Sequence, residues 1–148
     1  MSLTAFILSC HNIIQFLLWS LALYLIDSYI RTGSPPCWKE ALQLAQCEQC
    51  LEVIFSITRM TKNNPFTVFV QTVARACIVC IIMPLIWHDS VNEKWVFMAA
   101  IPWCIGEMVR YPFYEFKSLQ PYLGHLRYNV FIPLYPIGVL GELICFYQ

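Results

Sequence analysis

Tyr135 and Glu142 stand seven residues apart in an apolar stretch. Seven residues are two helical turns, so both side chains project from nearly one face, about 10.5 Å apart along the axis. A phenol and a carboxyl placed in this way can reach one bound molecule from two points, one giving a proton and the other taking one. Pro136, Gly138 and Gly141 lie between them and are expected to bend and thin the helix, leaving room for a narrow chain to approach. An interfacial aromatic is an ordinary role for Tyr135 alone, but it does not account for Glu142.

Other ionisable residues sit inside apolar stretches: Glu48 and Glu52, Arg75, Glu107 and Arg110. A charge at mid-bilayer costs at least about 2.5 kcal/mol, so these groups must face one another or a cavity. Glu48 and Glu52 share a helix face one turn apart, and Glu107 and Arg110, three apart, can pair along a helix. With Glu142 included there are four acids to two arginines, so at least one carboxyl is expected without a cation. That is the state wanted in a general acid or base working near neutral pH; structural ties between helices are the competing role.

Two Cys-x-x-Cys pairs, Cys47/Cys50 and Cys77/Cys80, superficially suggest zinc. A helical zinc site needs a polar, closed surrounding shell, and these pairs lie in apolar runs, so small packing residues are expected and no metal. Cys104 and Arg110 enclose five residues, the spacing of a phosphate cradle in cysteine-dependent phosphatases. The intervening Ile105-Gly106-Glu107-Met108-Val109 has one glycine and puts an acid where an anion would bind, which argues against that chemistry.

The elements that must position these groups follow from composition. Of 148 residues, 59% are hydrophobic and only 12% charged, where soluble domains carry roughly a quarter. Nine Lys and Arg offset nine Asp and Glu, and without a basic block a nucleic-acid partner is not expected. Seven of the eight cysteines fall in apolar runs, with Cys37 in a polar loop, so a secreted disulfide framework is not expected. The reading is all-α: a polytopic transmembrane helix bundle in lipid, one domain over 1–148, with five windows near the length a span needs. These are Leu3 to Ile26, Ala41 to Thr58, Phe66 to Trp87, Trp95 to Phe116 and Tyr128 to Tyr147. The first is read as a retained span and not a cleaved signal. Asp27, Arg31 and the turn Gly33-Ser34-Pro35-Pro36 are expected to break the first helix; His88 to Lys94 and Lys117 to Arg127 form later connectors. Positive charges divide nearly evenly between the two sets of loops, tilting to a cytosolic N-terminus.

Glu107-Met-Val-Arg110-Tyr111-Pro-Phe-Tyr114, Leu126-Arg127-Tyr128-Asn129-Val-Phe131 and Leu134-Tyr135-Pro136-Ile-Gly138-Val-Leu-Gly141-Glu142-Leu143 resemble, in order and spacing, the 3-hydroxyacyl-CoA dehydratase family, once called protein tyrosine phosphatase-like proteins. Asn12 with Trp19, and Glu52 with Gln71 and Arg75, extend the resemblance over most of the chain. It implies a multi-pass enzyme of the endoplasmic reticulum membrane that dehydrates a (3R)-3-hydroxyacyl-CoA to a trans-2-enoyl-CoA in the third step of very-long-chain fatty acid elongation. The implied catalytic pair is Tyr135 and Glu142, with no metal or redox cofactor. Arg110, Arg127 and Asn129 are candidates to orient the pair or meet the CoA phosphates, beside plainer roles in pairing Glu107 and anchoring helix ends. Implied partners are the acyl-CoA, membrane lipid, and the condensing enzyme and reductases of elongation. The family has six helices, whereas this sequence stops six residues after Glu142. The expectation is therefore a C-terminally short domain, with a non-catalytic member that binds elongation enzymes as the alternative.

Overall fold

The computed structural model of the chain describes residues 2–34, 37–86 and 90–147. Pro35 and Pro36 of the first turn, Trp87 at the end of the third window, His88 in the next connector and Gln148 lie outside the described residues. Every described element is helical.

Helix α1, Leu3–Thr32, opens on Ser2, whose hydroxyl accepts from the Ala5 N–H, and closes at Gly33. Gly33 adopts φ +71° and returns its N–H to the Tyr29 carbonyl, the left-handed stop that glycine favours. Asp27 and Arg31 do not break the helix as expected; they pair with each other across one turn at 2.8 Å on an exposed face, which lets the helix carry them out to Thr32.

The window 41–58 forms two shorter helices, α2 (Trp38–Gln49) and α3 (Leu51–Ile57). Helix α4, Pro65–Cys77, starts with proline in its first turn behind an Asn64 cap, where a missing N–H costs nothing. It continues through a π-helical turn, Ile78–Ile82, into α5, Met83–Ile86. Pro84 has no N–H to donate to the preceding turn, which relaxes the ladder there.

Helix α6 spans Ser90–Glu115 and starts ahead of its window, taking up much of the expected third connector. A 3₁₀ turn, Lys117–Leu119, leads into α7, Gln120–Tyr147. The expected connector Lys117 to Arg127 is therefore mostly helix, because no proline or left-handed residue interrupts it after Pro121, which lies in the first turn of α7. All five windows thus become helical rods. Three stretches, Leu3–Thr32, Pro65–Leu85 and Lys117–Tyr147, are long and apolar enough to cross a membrane; the rods of α2/α3 and α6 carry most of the inward-facing charge.

Helix α6 packs against α7 on one side and α1 on the other, and α1 pairs with α2. The buried stripe of α1 reads His11, Gln15, Trp19, Ala22 and Ile26, a step of three or four residues throughout. Its start is polar and its end apolar, and α2 matches it in reverse, with Trp38, Ala41 and Leu42 leading to Gln46 and Gln49. The interior is thus an apolar half around Trp19, Ile26, Trp38 and Val96 joined to a polar half.

Glycines bring α6 and α7 together. A Cβ on Gly141 would stand 2.6 Å from the Ala99 backbone nitrogen, and one on Gly138 would meet Pro102 Cβ at 3.4 Å. The room these residues open is filled by helix α6, not left for a narrow chain as the sequence suggested.

Candidate functional site

The polar half of the interior is a continuous charged network. Glu107, 4% exposed on α6, accepts from Arg75 of α4, from Arg110 one turn along its own helix at 3.0 Å, and from the Gln49 side chain at 3.2 Å. Arg110 also donates to Glu52 of α3, whose other oxygen accepts from the Tyr111 hydroxyl at 2.7 Å. His11 Nδ1 lies 2.9 Å from Glu48, and its Nε2 is 3.8 Å from Glu52. Gln15 donates to Glu48, while Ser9 and Asn12 bond Glu115. Each buried carboxylate is thereby held by opposite charge or by several donors, the condition for keeping such groups out of water.

A cavity of about 50 Å³ opens on this network, lined by Arg75, Pro102, Gly106, Glu107 and Arg110 on one side and by Val130, Phe131, Leu134 and Tyr135 of α7 on the other. Tyr135 is 65% exposed and forms part of its wall. Glu142 is not in that wall. It is half-buried two turns along α7 and accepts a hydrogen bond of 2.8 Å from Trp103 Nε1. The Trp103 ring carries Arg75 over its face, with the guanidinium carbon 5.2 Å from the ring centre. Tyr135 and Glu142 thus share a helix face, and the contact that joins Glu142 to the cavity runs through Trp103 and Arg75. Among the described residues Glu142 makes no ion pair.

The remaining candidates separate. Arg110 belongs to the network. Arg127 lies against the rings of Phe113 and Tyr114 at 5.4 and 5.7 Å, and Tyr114 also meets Arg110 at 5.7 Å. Asn129 is exposed on α7. Gln71 is exposed and does not join Arg75 at Glu107. The Cys-x-x-Cys pairs, distant in sequence, come together as free thiols where α2 meets the end of α4 and the π turn, with Cys80 beside Cys47. No set of three or more His, Cys, Asp or Glu among the described residues is arranged to hold a metal ion.

Sequence reasoning passed over His11 and Trp103. A count of acids against arginines omits the imidazole that serves Glu48. Trp103 gave a weaker signal: a buried tryptophan in the middle of a long helix usually finds an acceptor for its N–H, although Trp19 in α1 has none.

Comparison with known proteins bears on what this arrangement serves. A family model described as "Protein tyrosine phosphatase-like protein, PTPLA" matches residues 46–148, a stretch that contains Glu48, Glu52, Arg75, Trp103, Glu107, Arg110, Tyr135 and Glu142. The chain belongs to the protein tyrosine phosphatase-like family. Among curated relatives, very-long-chain (3R)-3-hydroxyacyl-CoA dehydratase 1 of Mus musculus is 32% identical over 95% of this chain and 52% of its own length. The dehydratase hpo-8 of Caenorhabditis elegans is 30% identical over 93% of this chain and 66% of its own, and human dehydratase 2 is 28% identical over 93% and 57%. The chain thus spans about half to two thirds of the length of these relatives. No solved structure matches it. In this protein tyrosine phosphatase-like chain the phosphatase cradle is structurally excluded: Cys104 is buried, and Cys104 to Arg110 is continuous α-helix, whose N–H groups are engaged in the helix ladder and cannot converge on a phosphate.

Proposed function

We propose that this chain is a membrane-embedded dehydratase that converts (3R)-3-hydroxyacyl-CoA to trans-2-enoyl-CoA, the third step of very-long-chain fatty acid elongation, in the endoplasmic reticulum. The observation that carries this reading is the cavity wall: Tyr135 lines it together with Arg75, Glu107 and Arg110, with Glu142 two turns further along the same helix. The names of the relatives give the substrate class.

Dehydration breaks the C2–H and C3–O bonds and forms the C2–C3 double bond. A base must take the C2 proton and an acid must protonate the departing hydroxyl, which leaves as water. Glu142 takes the proton and Tyr135 supplies one to the hydroxyl. Negative charge gathers on the thioester oxygen as the C2 proton leaves, and the guanidinium groups of Arg75 and Arg110 at the cavity are the cations available to offset it. In this reading Arg127 and Asn129, in the third turn of α7, meet the CoA phosphates. The reaction as written needs no metal or redox cofactor. In this reading the partners are the condensing enzyme and reductases that act before and after it.

The test is conversion of a long-chain (3R)-3-hydroxyacyl-CoA by membranes holding the chain, beside Tyr135→Phe and Glu142→Ala at equal abundance. Loss of general acid or base is expected to lower turnover by at least about a hundredfold in each variant. Turnover that survives either substitution overturns the pair.

A further inference from the structure

We infer that Trp103 is a positioning residue for Glu142, an assignment that rests on the dehydratase reading above. Glu142 stands apart from the other buried acids. Glu48, Glu52 and Glu107 each face His11, Arg75 or Arg110, whereas the bond to Glu142 Oε1 comes from a neutral indole N–H at 2.8 Å. A cation in that place would hold the carboxylate too firmly for it to accept a proton from carbon; an N–H fixes its direction and leaves the second oxygen open.

The indole itself is packed on all sides but a small fraction. Trp103 is 5% exposed, follows Pro102, which abuts Gly138, and lies one turn from Ala99, whose nitrogen meets Gly141. The close crossing of α6 and α7 therefore sets the distance between indole and carboxyl. On its face the ring carries Arg75, which reaches on to Glu107 and the cavity. One side chain thus ties the proposed base to the cation beside the proposed acid, which fixes their separation.

The first experiment is Trp103→Phe in the full chain, which keeps an aromatic face for Arg75 and removes the donor along with part of the ring. A hydrogen bond to a charged group contributes about 1.5–3 kcal/mol, so kcat is expected to fall roughly ten- to a hundredfold with KM within about twofold. A kcat within twofold of the parent, or a loss carried by KM, overturns the inference. The second needs no Trp103 variant. In ¹⁵N-tryptophan-labelled protein in micelles, Glu142→Leu is expected to move one of the five indole N–H resonances and leave the others in place; an unchanged spectrum overturns the bond. No turnover by the parent chain is the failure of the dehydratase reading and turnover that survives Tyr135→Phe or Glu142→Ala is the failure of the pair, whereas turnover lost in both but kept in Trp103→Phe is the failure of this inference alone.

Discussion

Glu107 carries the heaviest structural load of any single residue in the network, because three donors from α4, α6 and α2 converge on its carboxylate. Glu107→Gln leaves Arg75 and Arg110 in the interior with one anion fewer between them. Removing one partner of a buried pair costs ~3–5 kcal/mol, so this variant is expected to lower thermal stability in detergent and the amount of chain retained in membranes. Glu142→Gln, which meets an indole and no cation, is expected to leave both near the parent value. Melting the two variants side by side separates the structural acid from the proposed reacting one. The Glu107–Arg110 pair was legible from its spacing of three. What spacing does not carry is who partners whom across helices, since Arg75 and Glu107 are 32 residues apart and nothing local joins them.

At the scale of elements, the contact between α6 and α7 decides where the site residues stand. A methyl group at Gly141 collides with the Ala99 backbone, whereas one at Gly138 reaches only ordinary contact with Pro102. Gly141→Ala is therefore expected to push the helices apart and destabilise by about 1–3 kcal/mol, with loss of turnover, while Gly138→Ala is expected to remain close to the parent; activity and melting temperature in detergent check both. A second element contact is open to chemistry. Cys47 on α2 and Cys80 in the π turn are exposed free thiols that lie beside each other, so iodine is expected to join them as a disulfide within one chain, read by mass spectrometry of peptides before and after reduction. Helix existence was legible from apolar windows, and helix ends were not. Asp27 and Arg31 suggested a break because each alone is polar, yet as a pair one turn apart they satisfy each other. The glycines of α7 suggested an opening because their smallness says only that something comes close, not that it is the neighbouring helix.

For the whole molecule, lipid is the solvent that makes the arrangement intelligible. Large apolar side chains such as Leu17, Tyr24, Phe66, Leu85, Ile132 and Leu143 point outward, while Glu52, Arg75, Glu107 and Arg110 face one another inside, a distribution suited to a bilayer and not to water. Alkaline carbonate washing is expected to leave the chain in the membrane pellet, as measured by blotting pellet and supernatant. The all-helical class followed from composition, since so apolar a chain has only helices or closed barrels open to it. The division of the interior into an apolar and a polar half did not, because it depends on α1 and α2 running in opposite directions.

That division bears on how the molecule is made. Helix α1 leaves the ribosome before α2, and it presents His11 and Gln15 along a stripe whose partners, Glu48 and the Ala45 carbonyl, belong to α2. Until α2 has been synthesised, α1 holds polar groups that hydrocarbon cannot satisfy. Its settled state is thus one half of a hairpin, and α1 and α2 are expected to enter the membrane as a joint event, with α1 kept waiting for α2.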